Sequence, residues 1–464
     1  MKKIYFICGS QDLYGEEVIK QVEIDSKAMV SYLNEQVQDL GEIVYGCTVT
    51  TSLDAAKIMQ QASYDDDCVG VIVWMHTFSP AKMWIRGLQI LNKPLLHLHT
   101  QYNERLPYET IDMDFMNLNQ SAHGDREFSF ILRRLNIEHA IVVGYYKNAS
   151  VIKKIRQFME VAIAIDYSRH LRAATFGNNM RDVAVTDGDR VESQIRLGWE
   201  VNYYGIGDLV QYENKVTEVE EKLKMEEYIN KYRMNTDKFE SVKKQARYEV
   251  ALEKFFRDER IHAFTDTFQD LHGLEQLPGL AVQNIMSTGI GFGPEGDYKT
   301  ACLGAVLMKM SEKRDGATGF IEDYTYDLVE GHEVELGSHM LEVPPVFAKS
   351  KPVIEVHHLG IGGKNPPARL VFDSIEGKAI QVTMVDLGTH FKIIAMPIEL
   401  VSSKEMPKLP VARVMYKILP TFEKGLEFWL RQGGGHHAVI STSLTMEDLA
   451  LFCKLMKIEF EFIQ

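Results

Sequence analysis

Cysteine is scarce in this chain. Five occur among 464 residues (Cys8, Cys47, Cys68, Cys302 and Cys453), odd in number, scattered and never in a CxxC spacing. That argues against a disulfide framework and against a thiolate metal site, and for free, mostly buried thiols in a reducing compartment. Long apolar runs are missing too. No stretch of about 18 apolar residues occurs, so no membrane span is expected. The N-terminus M-K-K-I-Y-F-I-C-G-S has two lysines but only a short apolar run before polar D-L-Y-G-E-E, which reads as a first β-strand rather than a signal peptide. Basic residues are in the minority, and a net charge of −14 is not the clustered Lys/Arg footprint of a nucleic-acid binder. A cytoplasmic protein is expected, with neither nucleic acid nor membrane as partner. Internal repeats and low-complexity segments are absent.

What is present is ordinary globular material: 45% hydrophobic, 25% charged and 10% aromatic residues, enough for two or three cores. Short unbroken apolar runs recur at 3–8, 69–75, 94–99 and 140–144, with helical patterns between them, including one from about Glu16 to Leu40. Strands of that kind alternating with helices predict a parallel sheet covered on both faces. Ligands of such sheets bind beyond the carboxyl ends of the strands, where Gln11, His76 and Gln101 fall. Ser79-Pro80 reads as a helix start with Ser as N-cap. A second α/β unit begins near 172, with 181–185 and 201–206 as strands, a helix between them, and a return to strand at 262–268. The Glu/Lys-rich stretch 213–260 reads as a solvated helical surface. From about 340 the texture becomes antiparallel β, with G-I-G-G-K-N-P-P and I-E-G-K as turns, before helices around 421–431 and after Thr445, a strand A-V-I-S-T and a final strand I-E-F-E-F-I.

The chemistry-bearing residues cluster between Gly289 and His339, with a glycine-led pair of histidines at Gly433 to His437. Glu295, Glu322 and His339 sit beside glycine or at the lip of apolar runs, which suits a divalent-metal and proton-transfer site. Most glutamates are instead surface or salt-bridged, and that bland reading competes with the metal site. Gly291 to Gly296 matches G-x-G-x-x-G, but the preceding stretch looks helical and Pro and Glu stand where phosphate would approach. A glycine-lined bend presenting Glu295 to a cavity fits better, and no nucleotide cofactor is expected. His97 and His99 share a face of a strand, yet with no carboxylates nearby in sequence they read as core or loop histidines. In extended backbone, His357-His358 and His436-His437 each contribute at most one residue to a given site.

Several long, unusual words carry a resemblance to the L-arabinose isomerase family: G-S-Q-D-L-Y-G, W-M-H-T-F-S-P-A-K-M-W, I-D-M-D-F-M-N-L-N-Q-S-A-H-G, F-G-N-N-M-R-D-V-A-V-T-D-G-D, D-L-H-G-L-E-Q-L-P-G-L-A-V-Q, P-E-G-D-Y-K-T, E-D-Y-T-Y, L-G-S-H-M-L-E-V, H-L-G-I-G-G-K and G-G-G-H-H. The likeness runs from about residue 4 to beyond 450. It implies an aldose–ketose isomerase interconverting L-arabinose and L-ribulose, and in many members D-galactose and D-tagatose. It implies one Mn²⁺ per subunit, for which Co²⁺ or another divalent ion can substitute, held by Glu295, Glu322, His339 and His437, with the two glutamates as acid and base. Sugar contacts implied by the family fall on Gln11, Leu13, His123, Met180, Phe268 and Tyr324. The architecture implied is that of fucose isomerase: two Rossmann-like parallel-sheet α/β domains (1–171 and 172–314), then a β-rich C-terminal domain (315–464). Members are commonly homohexamers in which one subunit's N-terminal domain covers a neighbour's site. The chain ends soon after I-E-F-E-F-I-Q, where many members continue into a short basic, aromatic tail; the expected difference is in C-terminal packing and subunit contacts, not in chemistry.

The reaction explains the residue types. Moving a carbonyl between C1 and C2 through a cis-enediol(ate) requires removing a weakly acidic C–H proton and protonating the neighbouring carbon. Two carboxylates can serve as base and acid, each worth roughly 10²–10⁴-fold. A metal ion stabilises the developing charge, and neutral imidazoles complete its shell without further negative charge. Hydride shift at the same site, a metal-dependent aldolase and a non-catalytic sugar-binding protein are the competing readings. The last predicts a secretory signal, which this chain does not show.

Overall fold

In the computed structural model, which describes residues 1–360 and 363–463, the chain forms two compact units. One comprises Met1–Asp166 with Ala450–Lys457, the other Tyr167–Leu449 with Ile458–Gln464. Ile361 and Gly362, in the H-L-G-I-G-G-K word and its turn, lie outside the described residues.

The first unit is a parallel sheet in the order β2-β1-β3-β4-β5, from β1 (Lys3–Gly9), β2 (Glu42–Val49), β3 (Cys68–Met75), β4 (Leu95–His99) and β5 (Ala140–Val143). All eight residues of β3 are buried, as expected of a strand covered on both faces. The helix predicted from Glu16 to Leu40 runs Glu16–Val37. Ser79 is not the helix cap read from the sequence. It is fully buried and its hydroxyl accepts from the Trp84 indole at 3.0 Å, because satisfying a buried indole outweighs capping a short 3-10 turn.

The second unit begins with a parallel sheet, order β10-β9-β6-β7, from β6 (Arg172–Phe176), β7 (Glu200–Tyr204), β9 (Ala263–Asp266) and β10 (Gly291–Pro294). Between them, β8 (Arg233–Met234) pairs instead with a later strand. The 181–185 segment, predicted as a strand, is irregular. The Asn179 amide donates to the Val183 and Met180 carbonyls at 2.8 and 3.1 Å, so a side chain replaces a ladder partner. The Glu/Lys-rich helices Glu218–Lys231 and Phe239–Glu259 are not solvated throughout. Lys224, Tyr228 and Glu249 are buried together, with the Lys224 ammonium 2.9 Å from Glu249 and 2.8 Å from both Glu227 and Glu253.

The β-rich part holds β11 (Thr318–Asp327), β12 (Val334–Ser338), β13 (Val353–Val356), β14 (Ala368–Val371), β15 (Gly377–Asp386), β16 (Phe391–Val401), β17 (Val414–Ile418), β18 (His437–Ser441) and β19 (Glu459–Phe462). Six of these run β15-β18-β11-β12-β17-β16 and close through β15–β16 pairing into a barrel, with β19 added parallel on β16. The fold is thus α/β with two parallel sheets and a β-rich C-terminal part, as the sequence indicated, and the closure of that part into a barrel is added by the structure. Among the described residues no helix is long and apolar enough to cross a membrane.

Alternation along β11 does the positioning. Ile321 packs in the core of the β-rich part with Tyr416, Met396 and Ile440, while Phe320 joins the core of the central sheet. With a period of two, Glu322 follows Phe320 outward and Asp323 follows Ile321 inward.

Candidate active site

The G-x-G-x-x-G segment is a strand and a tight turn that opens the helix Tyr298–Ser311, so it follows no strand of its own. Its glycines answer packing. A Cβ on Gly293 would lie 2.3 Å from the Asp297 carbonyl, and one on Gly296 would lie 2.4 Å from the Asn179 Cα. Between them Glu295 adopts a left-handed φ of 63°, uncommon for any residue that carries a Cβ, and Gly296 follows at 85°. The Met180 amide donates to the Glu295 carbonyl at 2.9 Å and fixes the turn.

Glu322 is brought in by register. On β11 it stands opposite His437 of β18 on one side and Ser338 of β12 on the other, with His339 next along the chain. The Glu322 carboxylate is 3.6 Å from His339 Nε2, and the Glu295 carboxylate is 4.0 Å from His437 Nε2. Glu295, Glu322, His339 and His437 therefore lie in one neighbourhood of the second unit. Each buried imidazole is turned by its own carboxylate: His437 Nδ1 lies 3.2 Å from Asp297, and His339 Nδ1 bonds to Glu342. Such partners fix the tautomer and aim the other nitrogen. Asp297 is itself held by Lys299, a fully buried ammonium 3.2 Å away that also donates to the carbonyls of Val185, Thr186 and Asp187 at 3.1, 2.9 and 2.8 Å.

His436 adds a residue that strand alternation excluded. Its Nε2 is 3.7 Å from Glu295, and the ligand atoms of Glu295, His436 and His437 all lie within 4.8 Å of one another. Extended geometry was the wrong premise. β18 starts at His437, so the glycine-led approach leaves His436 free of the alternation and the two rings stand 4.3 Å apart. Asp266, at the carboxyl end of β9, was also missed. Burial first, then the nearby Glu342 charge, pushes its carboxyl up to about 7. No local motif marks it, since only tertiary packing brings it beside Glu342.

Charge within the cluster is mutually adjusted. The His436 imidazole, 3.7 Å away, holds the Glu295 carboxyl below its usual range, and Glu295 in turn raises His436. Burial works to lower His339, but Glu342, then Glu322 and Glu295, carry it up to about 9.

The donor set suits a divalent ion. His437 Nε2 is buried and has no hydrogen-bond partner among the described residues, and it faces a carboxylate oxygen at a distance too long for a hydrogen bond. Metal–ligand bonds of about 2.0–2.2 Å place two ligands of one ion roughly 3–4 Å apart, the spacing observed here.

Of the other sequence-predicted residues, Met180 reaches the site through the Glu295 turn. Tyr324, two residues from Glu322, is 53% exposed on that side of β11. Phe268 follows β9 and packs half-buried against the central core. Gln11, Leu13 and His123 belong to the first unit. Gln11 ends β1's loop, Leu13 is 83% exposed, and the His123 ring lies 4.5 Å from that of Phe78. His97 and His99 both bond to buried Asp125, at 2.9 and 2.7 Å, a structural role as the sequence suggested.

Family models cover nearly the whole chain: residues 1–170 match the L-arabinose isomerase N-terminal domain, 172–313 the central domain and 317–459 the C-terminal domain. The chain is 48% identical to an L-arabinose isomerase 2 of Bacillus licheniformis, over 100% of this chain and 99% of that one. It is 48% identical to the L-arabinose isomerase of Oceanobacillus iheyensis, with 99% and 98% covered. The same identity holds to that of Thermotoga maritima, with 99% and 93% covered.

Proposed function

This chain belongs to the L-arabinose isomerase family and is an aldose–ketose isomerase; we propose that it interconverts L-arabinose and L-ribulose, and D-galactose and D-tagatose, with Glu295 and Glu322 as the proton-transferring pair. The observation that carries this reading is the approach of two carboxylates to two imidazoles that are each oriented from behind, at 3.6 and 4.0 Å.

Glu295, Glu322, His339 and His437 would hold a divalent ion, Mn²⁺ in this reading with Co²⁺ able to replace it, and that ion supplies charge stabilisation to the neighbouring sugar oxygens. His436 stands within reach of the same centre. The chain does the rest. One glutamate removes the proton from the carbon beside the carbonyl and the other delivers a proton to its neighbour, giving a cis-enediol on the way. The nearby His436 imidazole favours the ionised form of Glu295, which can accept a proton. Asp297 and Glu342 keep the Nε2 atoms of His437 and His339 directed at the carboxylates. Met180, Phe268 and Tyr324 shape the pocket and limit water.

In the same reading the chain divides at 171/172 and 314/315, acts in the cytoplasm and assembles as a homohexamer. The exposure of Leu13 supports a role for Gln11, Leu13 and His123 in covering a neighbouring subunit's site. The test is ketose formation from L-arabinose and D-galactose, with EDTA and after adding Mn²⁺. Activity that EDTA abolishes and Mn²⁺ restores is expected; full turnover in metal-free protein would overturn the metal role, and no ketose from either sugar would overturn the substrates.

A further inference from the structure

The barrel carries a second polar constellation on the side of β11 that faces away from Glu322. Asp323 points inward, and one of its oxygens, Oδ1, takes both donors available there: the Gln381 amide at 2.5 Å and the Tyr416 hydroxyl at 2.7 Å. Glu335 joins them by register, since it pairs directly with Tyr416 across β12 and β17. Cross-strand partners on one face have Cβ atoms about 4.5–5.5 Å apart.

Acceptors then outnumber donors. Glu335 is 1% exposed and neither of its carboxylate oxygens has a hydrogen-bond partner among the described residues. Gln381 is fully buried; its amide nitrogen is spent on Asp323, and its carbonyl oxygen is likewise without a partner. A buried carboxylate with nothing donating to it is costly, and burial followed by the Asp323 charge pushes the Glu335 carboxyl up. A protonated Glu335 would offer a single O–H, enough for Asp323 or for the Gln381 carbonyl but not for both.

We propose that the barrel interior binds a hard divalent cation of the Ca²⁺ class through both oxygens of Glu335, the Gln381 carbonyl and the second oxygen of Asp323. All four donors are oxygen, which selects Ca²⁺ or Mg²⁺ over softer ions. Two free oxygens on one carboxylate suit the bidentate, flexible shell of Ca²⁺ rather than the compact octahedron of Mg²⁺. The role is structural: the ion cross-links β11, β12 and β15 from inside, behind the strand that carries Glu322.

The experiment uses full-length protein stripped with EDTA and titrated with Ca²⁺ or Mg²⁺, read by bound-metal stoichiometry and by thermal unfolding. A Glu295→Gln/Glu322→Gln variant removes the proposed catalytic ligands, so any remaining site lies elsewhere, whatever becomes of the isomerase mechanism. That variant is expected to bind one Ca²⁺ per chain and to melt higher in Ca²⁺ than in Mg²⁺. Adding Glu335→Gln should remove both the bound ion and the shift. Gln381→Met, which keeps the acidic pair intact, should weaken Ca²⁺ binding at least tenfold. The proposal is overturned if the double variant binds no Ca²⁺ and shows no melting shift, the result a shared proton between Asp323 and Glu335 would give. It is equally overturned if Glu335→Gln binds Ca²⁺ as before.

Discussion

Histidine–carboxylate pairs occur in both units, and their difference is instructive. In the first unit one buried carboxylate, Asp125, accepts from two imidazoles, and Asp25 takes His76 at 2.8 Å. These groups close upon each other. The spare nitrogens of His76 and His97 are Nδ1 atoms without a partner among the described residues, and the rings pack against Trp74 and Phe128 rather than across a gap from a second carboxylate. In the second unit His339 and His437 each have a private carboxylate on Nδ1, and each Nε2 looks across a gap at another carboxylate. The same pair is a clasp in one place and a half-built coordination shell in the other. What distinguishes them is where the second nitrogen points, not which residues are present.

That contrast can be broken most decisively at the far side of the gap. Glu295→Gln and Glu322→Gln should each lower kcat by about 10²–10⁴-fold, with far-UV circular dichroism unchanged. Near-normal ketose production in both variants would end the assignment. Next in size is the buried ammonium behind Asp297. Lys299→Met takes the balancing ammonium from buried Asp297 and one donor from each of three carbonyls, and removing one partner of such a pair costs about 3–5 kcal/mol, measurable by denaturant unfolding. Asp297→Asn and Glu342→Gln should then weaken Mn²⁺ binding by about 10–100-fold, read by calorimetry, with Asp297→Asn also losing stability because it leaves the buried Lys299 ammonium without its carboxylate. The smallest effect sharpens the other half of the comparison. Asp125→Asn should cost about 1–3 kcal/mol of stability and leave Mn²⁺ affinity untouched. A loss of metal affinity there would erase the distinction between clasp and shell.

The apolar strands were legible because burial on both faces writes itself as unbroken Val/Ile/Leu runs, as in β3. Glu295, Glu322, His339 and His437 were nameable from their glycine-flanked words and the family likeness. Their carboxylate supports were not, because Asp297 and Glu342 sit two and three positions from candidates without any periodicity to mark them. Asp266 and Lys299 were invisible for a stronger reason: their partners are brought in by tertiary packing. The 181–185 segment misled because V-A-V alternates like a strand while Asn179 and Lys299 supply the hydrogen bonds a ladder would have given.

The left-handed turn at position 295 means that this residue's backbone preference and its chemistry pull in opposite directions. Glycine relaxes there without steric penalty, so Glu295→Gly is expected to unfold no more easily than the parent, and by up to about 1 kcal/mol less easily, while making no ketose. Screens that reward heat tolerance alone would drift towards dead protein at this one codon.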